Sequence, residues 1–317
     1  MTRAKRYQSP ELEVQLLREG IIESVHAVHA VVCDSRGRML SVAGDAETAT
    51  FIRSALKPFQ ALAVAASGTL ERFGLDDRDL AIMCASHRGH IEQVRQAFHI
   101  LWKAELEPNQ LQCPVPEGCK SPLEHNCSGK HAGMLALCQL HNWPLESYLH
   151  RNHPLQVQIL ATVADLLKMP ADEFIGAHDD CGAPTYLMPL NQMAALFAKL
   201  SSGDNLEMER IVRAMTHHPE LVAGSEAFDT EVMRLTNGEV VSKSGAEGIQ
   251  CIGRVGQGMG LAIKARDGTK RAKYAVAVHL LKQLGWLSPD VSEELAEKYM
   301  VLGQYKRLDV QGDLDLM

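Results

Sequence analysis

The stretch Phe51-Ile52-Arg53-Ser54-Ala55-Leu56-Lys57-Pro58-Phe59-Gln60 decides how the rest of the chain is read. Proline lacks an N–H and clashes with the turn before it, so Pro58 is tolerated only in the first turn of a helix. A helix is therefore expected to start near Ser54 or Ala55, run to Ala66 and stop at Ser67-Gly68. Residues three apart share a helix face. Ser54 and Lys57 then stand side by side at the N-terminal end, where the dipole and free N–H groups favour developing negative charge. A serine hydroxyl needs a base to become a nucleophile, and a desolvated lysine is such a base. Spacing alone does not decide the matter, because serine is a good helix cap and lysine a good solvated helix residue. The rest of the chain must supply matching parts.

Upstream, residues 21–32 read as a strand, Asp34-Ser35-Arg36-Gly37 as a turn and Met39–Ala43 as a second strand, together a hairpin. Downstream, Leu75–Ala85 reads as a short helical entry followed by a buried strand or extended segment that delivers Ser86-His87-Arg88-Gly89-His90. Helices are expected over Ile91–Lys103, Ser128–Leu140, Asn152–Leu167, Leu187–Leu200 and Leu206–Met215. Gly129 and Gly133 share one face of the second of these, for close packing. Glu239–Lys243, Ile249–Val255 and Gly258–Lys264 read as strands, followed by helices over Ala272–Leu284 and Val291–Tyr299. The tail from Asp309 to Met317 is expected to fray. Strands at both chain ends must pair into one antiparallel sheet, with a helical block over about 90–235 inserted between them. The expected fold class is α+β, in a single domain spanning 1–317.

Composition narrows the function. The 317 residues are 46% hydrophobic and 22% charged, with net charge −7, an ordinary globular balance with material for a large core. The mild acidity and 5% aromatic content give no support for nucleic-acid binding. The basic start Met1-Thr2-Arg3-Ala4-Lys5-Arg6 is followed by Glu11, Glu13, Arg18 and Glu19, unlike a signal peptide, and no apolar run approaches a membrane span. The expected location is cytoplasmic. Eight cysteines, at 33, 84, 113, 119, 127, 138, 181 and 251, are then mostly reduced core residues, and no Cys-x-x-Cys occurs.

Four polar clusters remain. Ser86-His87-Arg88-Gly89-His90 emerges from an apolar run, and a second serine beside a Ser–Lys pair can relay a proton. In Glu124-His125-Asn126-Cys127-Ser128-Gly129-Lys130-His131, Cys127 and Lys130 share a face at a helix start. Gly129-Lys130 is not a P-loop, since Glu124 stands where its first glycine belongs and His131 replaces the hydroxyl. His178-Asp179-Asp180-Cys181-Gly182 is a polar loop whose thiolate can join Cys127 on a soft metal such as zinc, the plain alternative being two packed core thiols. Ser242-Lys243-Ser244-Gly245 ends a strand and fits the Lys-Thr/Ser-Gly element that accompanies Ser-x-x-Lys in penicillin-recognising serine enzymes.

These motifs, Ser54-Ala-Leu-Lys57, Ser86-His-Arg-Gly-His90, Asn126-Cys-Ser-Gly-Lys-His-Ala-Gly133, Asp179-Asp-Cys-Gly182 and Lys243-Ser-Gly-Ala-Glu-Gly248, resemble the L-asparaginases of the Rhizobium etli type, the asparaginase II or class 3 family. The resemblance runs from about residue 20 to 285. It implies a fold similar to serine β-lactamases and glutaminases, and hydrolysis of L-asparagine to L-aspartate and ammonia. It implies that Ser54 is the nucleophile, Lys57 its base, Ser86 the second serine and Lys243 the second lysine. It further implies one zinc per chain on Cys127, Lys130 and Cys181 with water as fourth ligand, structural or substrate-positioning in role, and a homodimer as the assembly. The Ser-Asp-Asn element has no equivalent, which argues against β-lactam hydrolysis. Arg53, Arg88, Asp180 and Glu247 are candidates for holding the α-carboxylate and α-amino group of the substrate, each otherwise a surface ion pair. A glutaminase or related small amidase, or a non-catalytic amino-acid-binding relative, are the competing readings.

Overall fold

The computed structural model describes residues 9–317. Along the chain it holds β1 (Leu12–Arg18), β2 (Ile21–Asp34), β3 (Met39–Ala43), β4 (Ala49–Phe51), α1 (Lys57–Ala65), α2 (Thr69–Phe73), α3 (Asp77–Met83), α4 (Ile91–Lys103), α5 (Ser128–His141), α6 (Pro154–Leu167), β5 (Ile175–His178) and β6 (Pro184–Pro189). The second half adds α7 (Leu190–Leu200), α8 (Leu206–His217), α9 (Pro219–Ala223), α10 (Phe228–Leu235), β7 (Val240–Ser244), β8 (Ile249–Arg254), β9 (Met259–Ala265), α11 (Lys270–Gln283), α12 (Pro289–Met300), β10 (Lys306–Gln311) and β11 (Asp315–Leu316).

The chain forms two compact units. The first gathers the described residues up to Thr50 with Met188–Ser202 and Ser242–Met317; the second holds Phe51–Leu187 and Gly203–Val241. The first is built on a sheet of order β10-β1-β2-β9-β8-β7, with β3 beside β2 and β11 beside β3. The expectation that strands from both chain ends share one sheet holds. Strand β2 is its spine: the 14-residue strand pairs antiparallel with β1 over Ile21–Val28, with β3 over Ala30–Cys33 and with β9 over Val28–Asp34. The expected hairpin turn is present, closed by Asp34, whose Oδ1 accepts the backbone N–H groups of Arg36 and Arg38. Helix α7 packs on β2, β8 and β9. It can do so closely because Gly253 and Gly260 lie opposite one another in the β8–β9 register. A Cβ on Gly260 would stand 2.1 Å from the Ala194 oxygen, so any side chain there pushes the helix off the sheet.

The second unit is mainly helical. Helices α1, α3, α4, α5 and α8 pack against one another, and β5 pairs antiparallel with β6. Gly129 and Gly133 are the close-packing points that the sequence suggested. A Cβ on Gly129 would meet the Ile82 oxygen at 2.2 Å, and one on Gly133 the Met83 Sδ at 2.7 Å. Helix α5 is thereby pressed onto α3.

Three expectations fail. The short helical entry expected after Leu75 is instead a helix over 77–83, where a strand or extended segment was to follow; Asp76 starts it, its carboxylate accepting the N–H groups of Arg78 and Asp79 while Asp76 N–H donates to the Asp79 carboxylate. The tail does not fray. Leu308 and Val310 are buried in β10, which pairs with β1, and Asp315–Leu316 pair with β3. The helix expected from Leu187 starts at Leu190, because Pro184–Pro189 is strand β6. No helix among the described residues is long and apolar enough to cross a membrane.

Candidate functional site

Ser54 lies in a 3-10 turn, Arg53–Leu56, that leads directly into α1. Pro58 occupies the first turn of α1, as its missing N–H requires. The tighter 3-10 turn eclipses residues three apart, so Ser54 and Lys57 do share a face. The backbone N–H of Lys57 donates to the Ser54 carbonyl. Among the described residues the Ser54 hydroxyl itself has no hydrogen-bond partner.

Lys57 is fully buried. Its Nζ donates to Ser86 Oγ at 3.0 Å, to the Ala85 carbonyl and to the Asn126 carbonyl at 3.5 Å. The structure thus brings Lys57 together with Ser86 from a second sequence cluster, with Ser54 one 3-10 turn before Lys57. Ser86 is held by its N–H, which donates to Val222 O at 2.8 Å. The next residue, His87, is buried and ties this segment to α5. Gly89 N–H donates to His87 Nδ1 at 3.1 Å, leaving Nε2–H to donate to Ser128 Oγ at 2.8 Å, which in turn donates to Leu123 O. Burial, reinforced by the charge of Lys57, depresses the His87 pKa to about 3, so the ring is neutral. Gly89 is required where it stands: its φ is +73° and a Cβ would lie 2.9 Å from Glu124 O.

Cys127, Lys130 and Cys181 also meet. Lys130 Nζ donates to Cys181 Sγ at 3.0 Å, Cys127 and Cys181 share a hydrogen bond, and all three side chains are buried. The bond from Cys181, with the charges of Lys57 and Lys130, outweighs burial and sets the Cys127 thiol well below its ordinary pKa. The proton shared with Cys127, and burial, push Cys181 up. For Lys130, burial opposes the charge but the two sulfurs outweigh it and raise its pKa. Cys127 is thus the more acidic of the two thiols and Cys181 the less acidic. Among the described residues no three His, Cys, Asp or Glu side chains form a metal-ligating group. The donors here are two sulfurs and one amine, a soft set that suits zinc once the thiols and the ammonium have given up their protons.

Asn126 joins the two clusters. Its carbonyl touches Lys57 and accepts His87 N–H at 3.2 Å, while its side-chain oxygen lies 3.1 Å from Cys127 Sγ. Arg53 makes a second link. Its guanidinium donates to Asp179 at 2.7 Å and to Asp180 at 2.6 Å, and its N–H donates to Thr185 Oγ1. Burial works against the charge of Arg53, but Asp179 and Asp180 more than offset it. The residue before Ser54 is thereby fastened to the loop that carries Cys181. Its backbone φ is +53°, the left-handed region that non-glycine residues rarely occupy.

The family model for L-asparaginase II matches residues 14–316. This chain belongs to the L-asparaginase II family. No curated protein matches it. Among solved structures it is similar to Mglu in its L-glutamate binding form, at 16% identity and TM-score 0.44, covering 82% of this chain and 61% of that one. It is also similar to Mglu in its glutamate form, at 15% identity and TM-score 0.41, covering 81% and 60%. A third is EstCE1, a hydrolase with promiscuous acyltransferase activity, at 12% identity and TM-score 0.37, covering 82% and 90%. The chain spans about three fifths of the length of the Mglu structures.

In this L-asparaginase II family member, Lys243 and Glu247 belong to the sheet unit. Lys243 is fully buried at the end of β7, its Nζ donating to Ser244 O at 2.9 Å. Glu247 is exposed in the β7–β8 turn with φ +55°. Arg88 is exposed, its side chain lying over Gly224. Asp180 is 90% exposed, whereas Asp179, half of the same Asp-Asp pair, is 11% exposed. Nothing in the sequence separates those two. His87 and Asn126 were likewise not singled out, since a histidine after an apolar run and an asparagine before a cysteine carry no local signature.

Proposed function

We propose that this chain is an amidohydrolase that converts L-asparagine to L-aspartate and ammonia through a Ser54 acyl-enzyme. Family membership supports the reaction class. The observation that carries the mechanism is the buried Lys57, one 3-10 turn from Ser54 and 3.0 Å from Ser86 Oγ. Lys57 takes the proton of Ser54, and Ser54 Oγ attacks the side-chain amide carbon. Backbone N–H groups at the start of α1 stabilise the oxyanion. Ser86, bonded to Lys57, passes the proton to the departing amine, so ammonia leaves as the ester forms. Water then hydrolyses the aspartyl ester, with the proton returning along the same pair.

The reading includes the rest of the Rhizobium etli type. Lys243 serves as the second lysine, on the strength of its Lys-Ser-Gly motif. Arg53, Arg88, Asp180 and Glu247 remain the candidates for the α-carboxylate and α-amino group. The fold is of the serine β-lactamase and glutaminase type, as one asparaginase domain, in a cytoplasmic protein. Cys127, Lys130 and Cys181 hold one zinc. When bound, the metal supplies a fixed positive charge that keeps the Cys181 loop and the start of α5 together.

Ammonia release from a panel of L-asparagine, L-glutamine and β-aspartyl amides tests this reading. Turnover confined to asparagine supports it. Preference for glutamine makes the protein a glutaminase, and no turnover on any amide, with amino-acid binding retained, makes it a non-catalytic relative.

A further inference from the structure

The α8–α9 corner, the first turn of α3 and the start of α4 frame a cavity of about 450 Å³, wholly within the helical unit. Arg78, His90, Glu92, His218, Glu220 and Ser225 line it. Its volume lies in the range of small-molecule sites. Both signs of charge line it, yet they do not neutralise one another. Among the described residues Arg78 pairs with no carboxylate, and Glu92 and Glu220 pair with no cation. Exposed charges are commonly left to water, but Arg78 is held in place. Its Nε donates to Gln96 Oε1 at 3.2 Å, and Gln96 Nε2 donates to Asp79 Oδ1 at 2.6 Å. Asp79 is fully buried. A buried carboxylate thus orients an exposed guanidinium through one amide, and leaves its Nη1 and Nη2 without a partner among the described residues. Supporting bonds of this kind preorganise a binding group. A second set of bonds ties the cavity to Ser86. The buried Gln93 accepts the N–H groups of Arg88 and His90 at 3.1 and 3.3 Å and donates to Glu220 O at 2.9 Å. Two residues on, Val222 O accepts Ser86 N–H at 2.8 Å. The walls of the cavity are therefore the segments that fix Ser86.

We propose that this cavity binds a free diamino monocarboxylic acid, of the lysine class, and that its occupancy adjusts Ser86. The charges match one for one. The α-carboxylate takes Nη1 and Nη2 of Arg78, a bidentate fit. The α-ammonium and the side-chain ammonium take Glu92 and Glu220. A neutral amino acid leaves one of these carboxylates unmatched, and an acidic one adds a repulsion. His90, His218 and Ser225 supply hydrogen-bonding groups around the ligand. A ligand that bridges α3, α4 and α9 clamps α9 against α4, and through Val222 holds Ser86 more firmly. Binding stands apart from the catalytic reading; the effect on turnover rests on it.

Calorimetric titration of the full chain with L-lysine, L-norleucine and cadaverine tests the site. Exposed ion pairs are weak and screened, so L-lysine should bind with a Kd of about 1 mM at low salt. L-Norleucine lacks the side-chain ammonium and cadaverine lacks the carboxylate, and each should bind at least about threefold more weakly. Arg78→Gln should weaken L-lysine without weakening cadaverine, whereas Glu92→Gln and Glu220→Gln should weaken both. All three positions are exposed, and unchanged circular dichroism checks that the variants fold. Saturating L-lysine should also raise kcat for asparagine by about twofold and leave KM within that factor. No saturable binding of L-lysine up to about 20 mM overturns the site, as does binding that neither the ligands nor the variants distinguish. L-Lysine that raises KM alone competes for the substrate site and overturns a separate cavity. Binding as expected with kcat unchanged overturns the link to Ser86. Binding as expected in a protein that turns over no amide supports the site and counts against the catalytic reading alone.

Discussion

Lys130 in the helical unit and Lys273 in the sheet unit are both almost completely buried, and they do opposite things with their charge. Lys273 donates to two backbone carbonyls, Gly245 O at 2.8 Å and Ile249 O at 2.7 Å, and so staples the turn that follows β7. Neither of these two carbonyls can titrate. Lys130 donates to a sulfur that can, and that sulfur shares a proton with another. Burial alone therefore does not mark a functional lysine; the chemistry of the acceptor does. Lys57 belongs with Lys130 on this test, because one of its acceptors is the hydroxyl of Ser86.

The largest effect should come from the serine that this second kind of lysine serves. Ser54→Ala is expected to lower ammonia release by at least about a thousandfold, and Lys57→Met nearly as much. Among the described residues the Ser54 hydroxyl has no partner to lose, so the urea midpoint of Ser54→Ala should stay at the wild-type value. Near-normal turnover in that variant would remove Ser54 as nucleophile.

Next comes the metal. Protein purified without chelator should carry one zinc per chain by elemental analysis, and Lys130→Met should carry almost none. The comparison breaks if Lys130→Met keeps full zinc, or if Lys273→Met loses it. Lys273→Met should instead cost stability, because it strands two carbonyls, by about 1–3 kcal/mol on denaturant titration.

The smallest effect is a pH dependence. His87 is neutral when folded, with its pKa at about 3 against 6.5 for a free histidine. Between those values the unfolded chain binds a proton that the folded one does not. Stability contributed by the neutral ring is complete above pH 6.5 and falls as pH is lowered towards 3. The slope contributed by one group is at most about 1.4 kcal/mol per pH unit. His131, shifted downward by burial and by Lys130, adds to it with the same sign. Urea titrations at successive pH values should show the slope, and His87→Gln should reduce it. An unchanged slope in that variant would mean that His87 takes up its proton without cost.

Much of the helical architecture and the spine of the sheet was legible because each rests on a local signal. Pro58 placed the start of α1, and the spacing of Gly129 and Gly133 gave the close face of α5. The Asp34–Gly37 turn between two strand-like runs gave the β2–β3 hairpin. The failures are also local. Asp76 and Asp79 form a capping box from two aspartates, a weaker pattern than serine followed by glutamate, so the sequence suggests only a short helical entry where α3 runs to Met83. Strand β10 alternates Lys306-Arg307-Leu308-Asp309-Val310, yet its position near the chain end suggested fraying until its pairing with β1 was seen. In the candidate site the motifs supplied Ser54, Lys57, Ser86, Cys127, Lys130 and Cys181. What they could not supply is the connective tissue: the His87–Ser128 bond, the double contact of Asn126, and the choice of Asp179 rather than Asp180 as the more buried partner of Arg53. Those depend on segments distant in sequence, and no periodicity reports them.

Position 53 illustrates how narrow the tolerated sequence space beside Ser54 is. Its backbone sits at φ +53°, which glycine and asparagine adopt with least strain. Its side chain must reach both Asp179 and Asp180 with a forked cation, which glycine and asparagine cannot do. Lysine keeps the charge but not the fork. A saturation library at this codon, sorted for activity, should therefore return arginine nearly alone. Residues on the free face of a helix such as α12 should accept most of the alphabet.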